Sequence, residues 1–293
     1  MKGTIRQLLN TLGQIHRAES TGFVRGVSRH LNWIVRRLSH NFPTTLPLSE
    51  SCLHVEFHSG VHALVNCLGL YDYNNMTLVK LLLSHVHPAV FFDVGANVGA
   101  YTLVASEVSN AQVVSFEPHP RPFSCLEKNV RMNNRTNVLL FPAAISDARG
   151  VVTFTNAPEI SINKIADSGS PGTIPVNART LDDICAELHL VPTVVKIDVE
   201  GHELKVLNGF RNSLPKVNVL VIEHGDESNI VSLMKPLGFE GPFYFHASSL
   251  TFRTYPQRRA EDPVFVKQEF LGSLQMFGAK LKAGRGLVGG TKH

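Results

Sequence analysis

Residues Val90–Tyr101 read V-F-F-D-V-G-A-N-V-G-A-Y, and this stretch limits the fold more than any other part of the chain. An apolar run enters Asp93. Gly95 and Gly99 then bracket Asn97, and apolar residues resume through Leu103 and Val104. The pattern predicts a buried strand, a tight turn and a helix start. Glycines in such a turn let the backbone approach a ligand closely, and the helix behind it offers free N–H groups. Asp93 then stands at the carboxyl end of its strand, the edge at which open α/β sheets bind ligands.

The spacing narrows the ligand. A dinucleotide fold uses G-x-G-x-x-G, whereas this turn is G-x-x-x-G with an acid two residues before it. A second strand is predicted over Gln112–Phe116 and runs into Glu117. Strand, turn, helix, strand and acid suit a nucleoside whose ribose hydroxyls are held by a carboxylate, with no pyrophosphate to cradle. That points to S-adenosylmethionine (SAM) over NAD. An NAD-dependent oxidoreductase is the weaker alternative, because the third glycine is absent.

Alternation continues along the chain. Helices are predicted over Met76–Val86, 99–108, 121–131 and 227–236, and over Leu181–Leu188 with Thr180 as its N-cap. Strands are predicted over Val138–Phe141, Val151–Thr155, Val194–Ile197, Val217–Ile222, 242–246 and 263–267. Such alternation predicts α/β with a mostly parallel sheet. The strand at Val194 runs into Asp198-Val199-Glu200-Gly201-His202-Glu203, and the one at Val217 into Glu223-His224-Gly225. If the two strands are neighbours, six titratable groups approach one crevice. Pro43 and Pro47, with nearby Thr and Ser, predict a linker. Residues 156–175 predict a loop long enough to be a substrate lid. From Gly272 the tail has four basic and no acidic residues and is expected to be mobile. The predicted organisation is an extension and linker over 1–50, a body over 51–271 and a tail over 272–293.

Charge is uneven. Residues 1–50 carry seven Lys/Arg against two Asp/Glu, while the remainder is near neutral, which gives no support for a nucleic-acid footprint. Ile5, Leu8, Leu9, Leu12 and Ile15, then Phe23, Val27, Leu31, Ile34 and Leu38, recur at helical spacing. A basic amphipathic segment can pack on the body, the favoured reading. Alternatively, residues 1–40 make peripheral membrane contact or form an organelle presequence. No apolar run reaches the roughly 18 residues needed to span a bilayer. The four cysteines form no C-x-x-C pair, so buried thiols in a reducing, cytoplasmic setting are expected. His54, His58 and His62 fall four apart, but the residues between them read as strand and turn rather than as a helical metal site.

Three blocks carry a family resemblance: F-D-V-G-A-N-V-G-A-Y-T (92–102), F-E-P-H-P (116–120) with the following F-x-x-L-x-x-N-V-R-M-N-N, and V-K-I-D-V-E-G-H-E-L-K-V-L-N-G (195–209). A-I-S-D-x-x-G (144–150) and T-L-D-D (180–183) also fit. Over about 90–225 the chain resembles the FkbM-type methyltransferases, a branch of the SAM-dependent class I fold. The resemblance implies a Rossmann-like sheet of seven mostly parallel strands with helices on both faces. It also implies methyl transfer from SAM to a hydroxyl of a sugar, polyketide or related metabolite. By position, Asp93, Gly95, Ala96, Asn97 and Gly99 line the methionine and ribose region. Glu117 holds the ribose hydroxyls, Ala144 lies near the adenine, and Asp198 near the sulfonium.

Methyl transfer to an alcohol needs positioning and a proton acceptor. The candidate catalytic residues are Asp198, Glu200 and His202. A divalent ion on Asp198, Glu200 and Glu223 is a less favoured route. A catalytically silent, methyltransferase-like scaffold acting through residues 1–50 is the rival from another class. Acceptor specificity is expected in 156–175 and 226–260, with the N-terminal segment as a further candidate.

Overall fold

The structure, a computed structural model, describes residues 43–56, 72–157, 163–167, 169–256, 261–276 and 280–282, with isolated positions 28, 31, 32, 35, 65 and 70. Apart from helical, exposed Ser28, Leu31, Asn32 and Val35, the expectations for residues 1–42 lie outside the described residues, as do His58 and His62. Among the described residues no helix is long and apolar enough to cross a membrane.

The first elements correct the linker expectation. Thr44–Leu48 is a strand, β1, paired antiparallel with β2, Ser51–Val55. Leu46 and Leu48 alternate inward with period two, while Pro47 points outward. The turn is held by Glu107, whose carboxylate accepts from Ser49 Oγ (2.7 Å), Glu50 N (2.9 Å), Ser51 Oγ (2.8 Å) and Lys80 Nζ (2.7 Å). His54 sits in β2, so it does not begin a helical histidine face.

Then come α1 (Tyr73–His85), β3 (Val90–Val94), α2 (Ala100–Ser106), β4 (Gln112–Phe116), α3 (Pro120–Met132) and β5 (Val138–Phe141). A small sheet follows, made of β6 (Ala144–Ile145), β7 (Gly150–Thr155), β8 (Ile165–Ala166) and β9 (Thr173–Arg179), in the order β6-β9-β7-β8. The expected lid over 156–175 is therefore cut short. Residues 165–166 and 173–175 are strand, and 158–162 and 168 lie outside the described residues. The chain returns through α4 (Leu181–Leu188), β10 (Val194–Ile197), α5 (Glu203–Asn208), β11 (Val219–Ile222) and α6 (Glu227–Met234). It ends with β12 (Phe239–His246), β13 (Thr251–Arg253), β14 (Val264–Lys267), α7 (Gln268–Met276) and β15 (Lys280–Lys282). The expected start of the tail, Gly272, falls inside α7.

The main sheet has nine strands, not seven, in the order β15-β13-β12-β14-β11-β10-β3-β4-β5. β5, β4, β3, β10 and β11 are parallel neighbours, and β14 runs against them. The two additional strands, β13 and β15, extend one edge. Each central strand is buried on both faces, which is why it reads as a continuous apolar run. Phe91, Val113 and Val194 pack with α1 and α2 on one face; Phe92, Val114, Val195 and Ile222 pack with α4, α5 and α6 on the other. The chain moves from β3 outward to β5, then crosses back to β10 on β3's other side. That reversal opens a crevice at the carboxyl ends of β3 and β10.

Asn129, fully buried on α3, ties the hairpin to this crevice. Its Oδ1 accepts from His54 N (2.6 Å), and its Nδ2 donates to Val98 O (2.9 Å) beside the glycine turn. Asn129→Ala leaves both buried groups unpaired and is expected to destabilise the protein by about 2–4 kcal/mol. Denaturant titration checks this, and a change under about 0.5 kcal/mol, the usual range for a surface substitution, would show that the hairpin does not depend on the contact.

Candidate functional site

The glycine turn is shaped by one close approach. Gly95 has φ +83°, and a Cβ placed on it would lie 1.8 Å from the backbone oxygen of Asp198. Asp198 N in turn donates to Val94 O (3.0 Å). The carboxyl ends of β3 and β10 are thus locked together by backbone, and only glycine fits at position 95. Gly95 N and Ala96 N both donate to Phe116 O (3.0 and 2.9 Å), which fixes the turn to the end of β4. Gly99, with φ +92°, is the N-cap of α2 and lies against Leu126.

Glu117, immediately after β4, completes this frame. Its Oε2 accepts from Asn97 N (2.9 Å) and its Oε1 from His119 N (2.8 Å). Each oxygen keeps a lone pair for a further donor, as a pair of ribose hydroxyls would supply. Burial pushes the Glu117 carboxyl up to about 7, against the lowering effect of those two N–H groups.

Two compartments meet at this frame. One is a narrow apolar slot lined by Val94, Phe116, Ala144, Ile145, Phe154 and Ile165, among others. Ala144, Ile145, Phe154 and Ile165 come from the small sheet, so that sheet builds one wall. The other is a polar cavity of about 250 Å³ whose lining includes Asp93, Tyr101, Lys196, Glu200, Glu223 and Asp262. Gly95, Asn163 and Asp198 line both.

Beneath the polar cavity lies an ionic layer. Lys196 and Asp93 are paired in register across β10 and β3. Lys196 is 2% exposed, donates to Asp198 Oδ2 (2.7 Å) and sits 4.8 Å over the Tyr101 ring. The Tyr101 hydroxyl donates to Asp72. Asp93 is fully buried. Its Oδ2 accepts from Thr102 Oγ1 (2.7 Å), and its Oδ1 has no hydrogen-bond partner among the described residues. Burial raises the Asp93 carboxyl above its ordinary range, opposed chiefly by the Lys196 charge.

The six titratable groups after β10 and β11 do not share one crevice. One carboxylate oxygen each of Asp198, Glu200 and Glu223 lie within 4.8 Å of one another, a set of oxygen donors that could hold a divalent ion. Burial raises the Glu200 and Glu223 carboxyls, and the Asp198 charge adds to it; Glu223 reaches about 9. His202 instead meets Ser146 Oγ through Nε2 (3.0 Å) and lines the apolar slot. Burial lowers its imidazole below the usual histidine range. Glu203 Oε1 accepts from Gly201 N (2.9 Å), and exposed His224 pairs with Glu227 (2.7 Å). Lys196, Tyr101, Asn163, Asp72 and Asp262 are the site residues that sequence reasoning missed. The one available signal was a lysine set within an otherwise apolar strand, V-V-K-I.

The residues present fit SAM. An apolar slot suits adenine, the free lone pairs of Glu117 suit a ribose diol, and an unpartnered buried carboxylate oxygen on Asp93 suits an ammonium or sulfonium. Relatives agree in kind. The hexuronic acid methyltransferase AglP of Haloferax volcanii is 32% identical over 150 residues, which are 50% of this chain and 60% of that protein. The 31-O-demethyl-FK506 methyltransferase FkbM of Streptomyces tacrolimicus is 27% identical over 190 residues, covering 51% of this chain and 72% of that one. The chain thus spans less than two thirds of the length of AglP. Among solved structures, a SAM-dependent methyltransferase from Agrobacterium tumefaciens gives a TM-score of 0.44 at 9% identity, over 77% of this chain and 70% of that one. The model of the methyltransferase FkbM domain matches residues 93–240, about half of the chain, running from buried Asp93 through the glycine turn, Glu117 and the Asp198 segment. On that match the chain belongs to the FkbM methyltransferase family.

Proposed function

We propose that the protein transfers a methyl group from SAM to a hydroxyl of a small molecule, sugar-like or polyketide-like. The observation that carries this reading is Glu117, a buried carboxylate anchored by two backbone N–H groups at the mouth of the turn. The relatives' names, a hexuronic acid methyltransferase and a 31-O-demethyl-FK506 methyltransferase, support a hydroxylated acceptor.

In this reading Glu117 takes the ribose hydroxyls, Ala144 and the apolar slot take the adenine, and Asp93, Gly95, Ala96, Asn97 and Gly99 surround the ribose and methionine. Bound there, SAM supplies an electrophilic methyl group on a sulfonium whose leaving group is neutral. Asp198, held by Lys196, lies between the two compartments and orients the reacting centre. The acceptor hydroxyl enters the polar cavity, and its proton passes to a carboxylate of the Asp198–Glu200–Glu223 group, with Glu200 as the base. His202 stands on the adenine side and supports cofactor binding rather than proton transfer.

Three outcomes test this. Glu117→Ala is expected to weaken S-adenosylhomocysteine binding on the order of a hundredfold by calorimetry, since two hydrogen bonds to a buried charge are lost. Unchanged affinity would remove the ribose assignment. Glu117 accepts ribose hydroxyls as the carboxylate, yet below about pH 7 it holds a proton. Wild-type affinity should therefore fall as pH drops below that value, by up to about tenfold per unit, and level off above it. Glu117→Gln should abolish that slope. Finally, Glu200→Gln should lower kcat by about a hundredfold or more while leaving S-adenosylhomocysteine affinity nearly unchanged. His202→Ala should do the reverse, and if it instead lowers kcat alone, the two roles are exchanged.

A further inference from the structure

The polar cavity is dominated by one sign of charge. Asp93, Asp198, Glu200, Glu223 and Asp262 all line it, and among the described residues Lys196 is its only lining cation. That ammonium is 2% exposed and already donates to Asp198 Oδ2. Exposed Lys164 acts on Glu200 through space but does not line the cavity. Asp262 reaches the cavity just ahead of β14, with Oδ1 accepting from His224 N (3.2 Å). Among the described residues the cavity thus offers hydrogen-bond acceptors in excess and no cation besides the paired Lys196.

We infer that the acceptor group entering this cavity is a hydrogen-bond donor without negative charge, such as a neutral sugar hydroxyl or an amino sugar, and that anionic sugars are excluded. Carboxylates accept from hydroxyls and ammonium groups, and like charges brought together in a partly dehydrated cleft cost several kcal/mol. The wall carboxyls already repel each other. Asp198, Glu200 and Glu223 bring carboxylate oxygens within 4.8 Å of one another. A further anion adds to that repulsion, whereas a donor or a cation relieves it. The inference rests on the methyl-transfer reading, because it treats this cavity as the acceptor site.

The test uses the full chain saturated with S-adenosylhomocysteine. Binding of three matched probes is measured by saturation-transfer NMR and titration: methyl glucoside, methyl glucosaminide and methyl glucuronide. The neutral and cationic probes are expected to bind about tenfold or more tighter than the glucuronide. The double variant Glu223→Gln, Asp262→Asn should narrow that gap, with S-adenosylhomocysteine binding by the variant as the check on its fold. Glucuronide binding as tight as glucoside overturns the inference, with or without added Mg²⁺ at Asp198, Glu200 and Glu223. Absence of binding by all three probes also overturns it. Failure of S-adenosylhomocysteine itself to bind wild type is a separate result, and it counts against the methyl-transfer reading.

Discussion

Lys196 is the charge around which the site is assembled. It occupies a sheet position between Val195 and Ile197, 2% exposed, where an unpaired ammonium would cost several kcal/mol. Asp93 is its register neighbour on β3, Asp198 accepts its hydrogen bond, and Tyr101 offers a ring face. Pairing alone does not make the layer cheap, since a buried ion pair often only breaks even against apolar packing. Its value is positional. It brings a carboxylate from β3 and one from the end of β10 to the same point. The Gly95 backbone contact with Asp198 then leaves little freedom for either strand end.

From that point the chemistry divides cleanly. The apolar slot takes its far wall from the small sheet inserted between β5 and β10, while the polar cavity draws on the ends of β10 and β11 and the segment before β14. The fold sets an apolar and a polar compartment side by side at the sheet's reversal point, the opposite surroundings that the proposed nucleoside and polar acceptor need. Asn163 lines both compartments from the small sheet's connecting segment, so that insertion borders the apolar slot and the polar cavity alike. Of residues 156–175, where specificity was expected, Asn163 and Ile165 contribute to a wall.

The central strands were legible because burial on both faces leaves a continuous apolar run, and the glycine turn because its φ values demand glycine. Glu117 was legible for the same reason: it ends one of those runs. β1 was hidden by its prolines, although Leu46 and Leu48 kept the strand period. Of the small sheet only β7 was legible, as Val151–Thr155; its other strands were hidden by their polar composition, and only Ala144, Phe154 and Val176 of the sheet form a buried apolar cluster. The site failed at finer grain. Glu200 and His202 are two residues apart, yet they serve different compartments. Glu200 and Gly201 both have positive φ, at 55° and 93°, and this bend turns Glu200 toward the cavity and His202 toward Ser146. No sequence period carries that information. Lys196 was overlooked because a lysine in an apolar strand reads as an interruption until its register partner is known to be an aspartate.

The excess of acid in the cavity also has a thermodynamic direction. Carboxyls whose folded-state values are raised bind more protons in the native state than in the unfolded chain. Their contribution to stability is therefore lost as pH rises from the ordinary carboxylate range through the raised values. For Glu117 and Asp262 that window closes near 7, and for Glu223 near 9. Above those values the carboxyls are ionised and the site is held together against its own charge. Any ligand that brings positive charge or hydroxyl donors recovers part of that cost, so the repulsion that weakens the free protein favours cations and hydrogen-bond donors over anions. A site of this kind is selected by what it repels as much as by what it contacts.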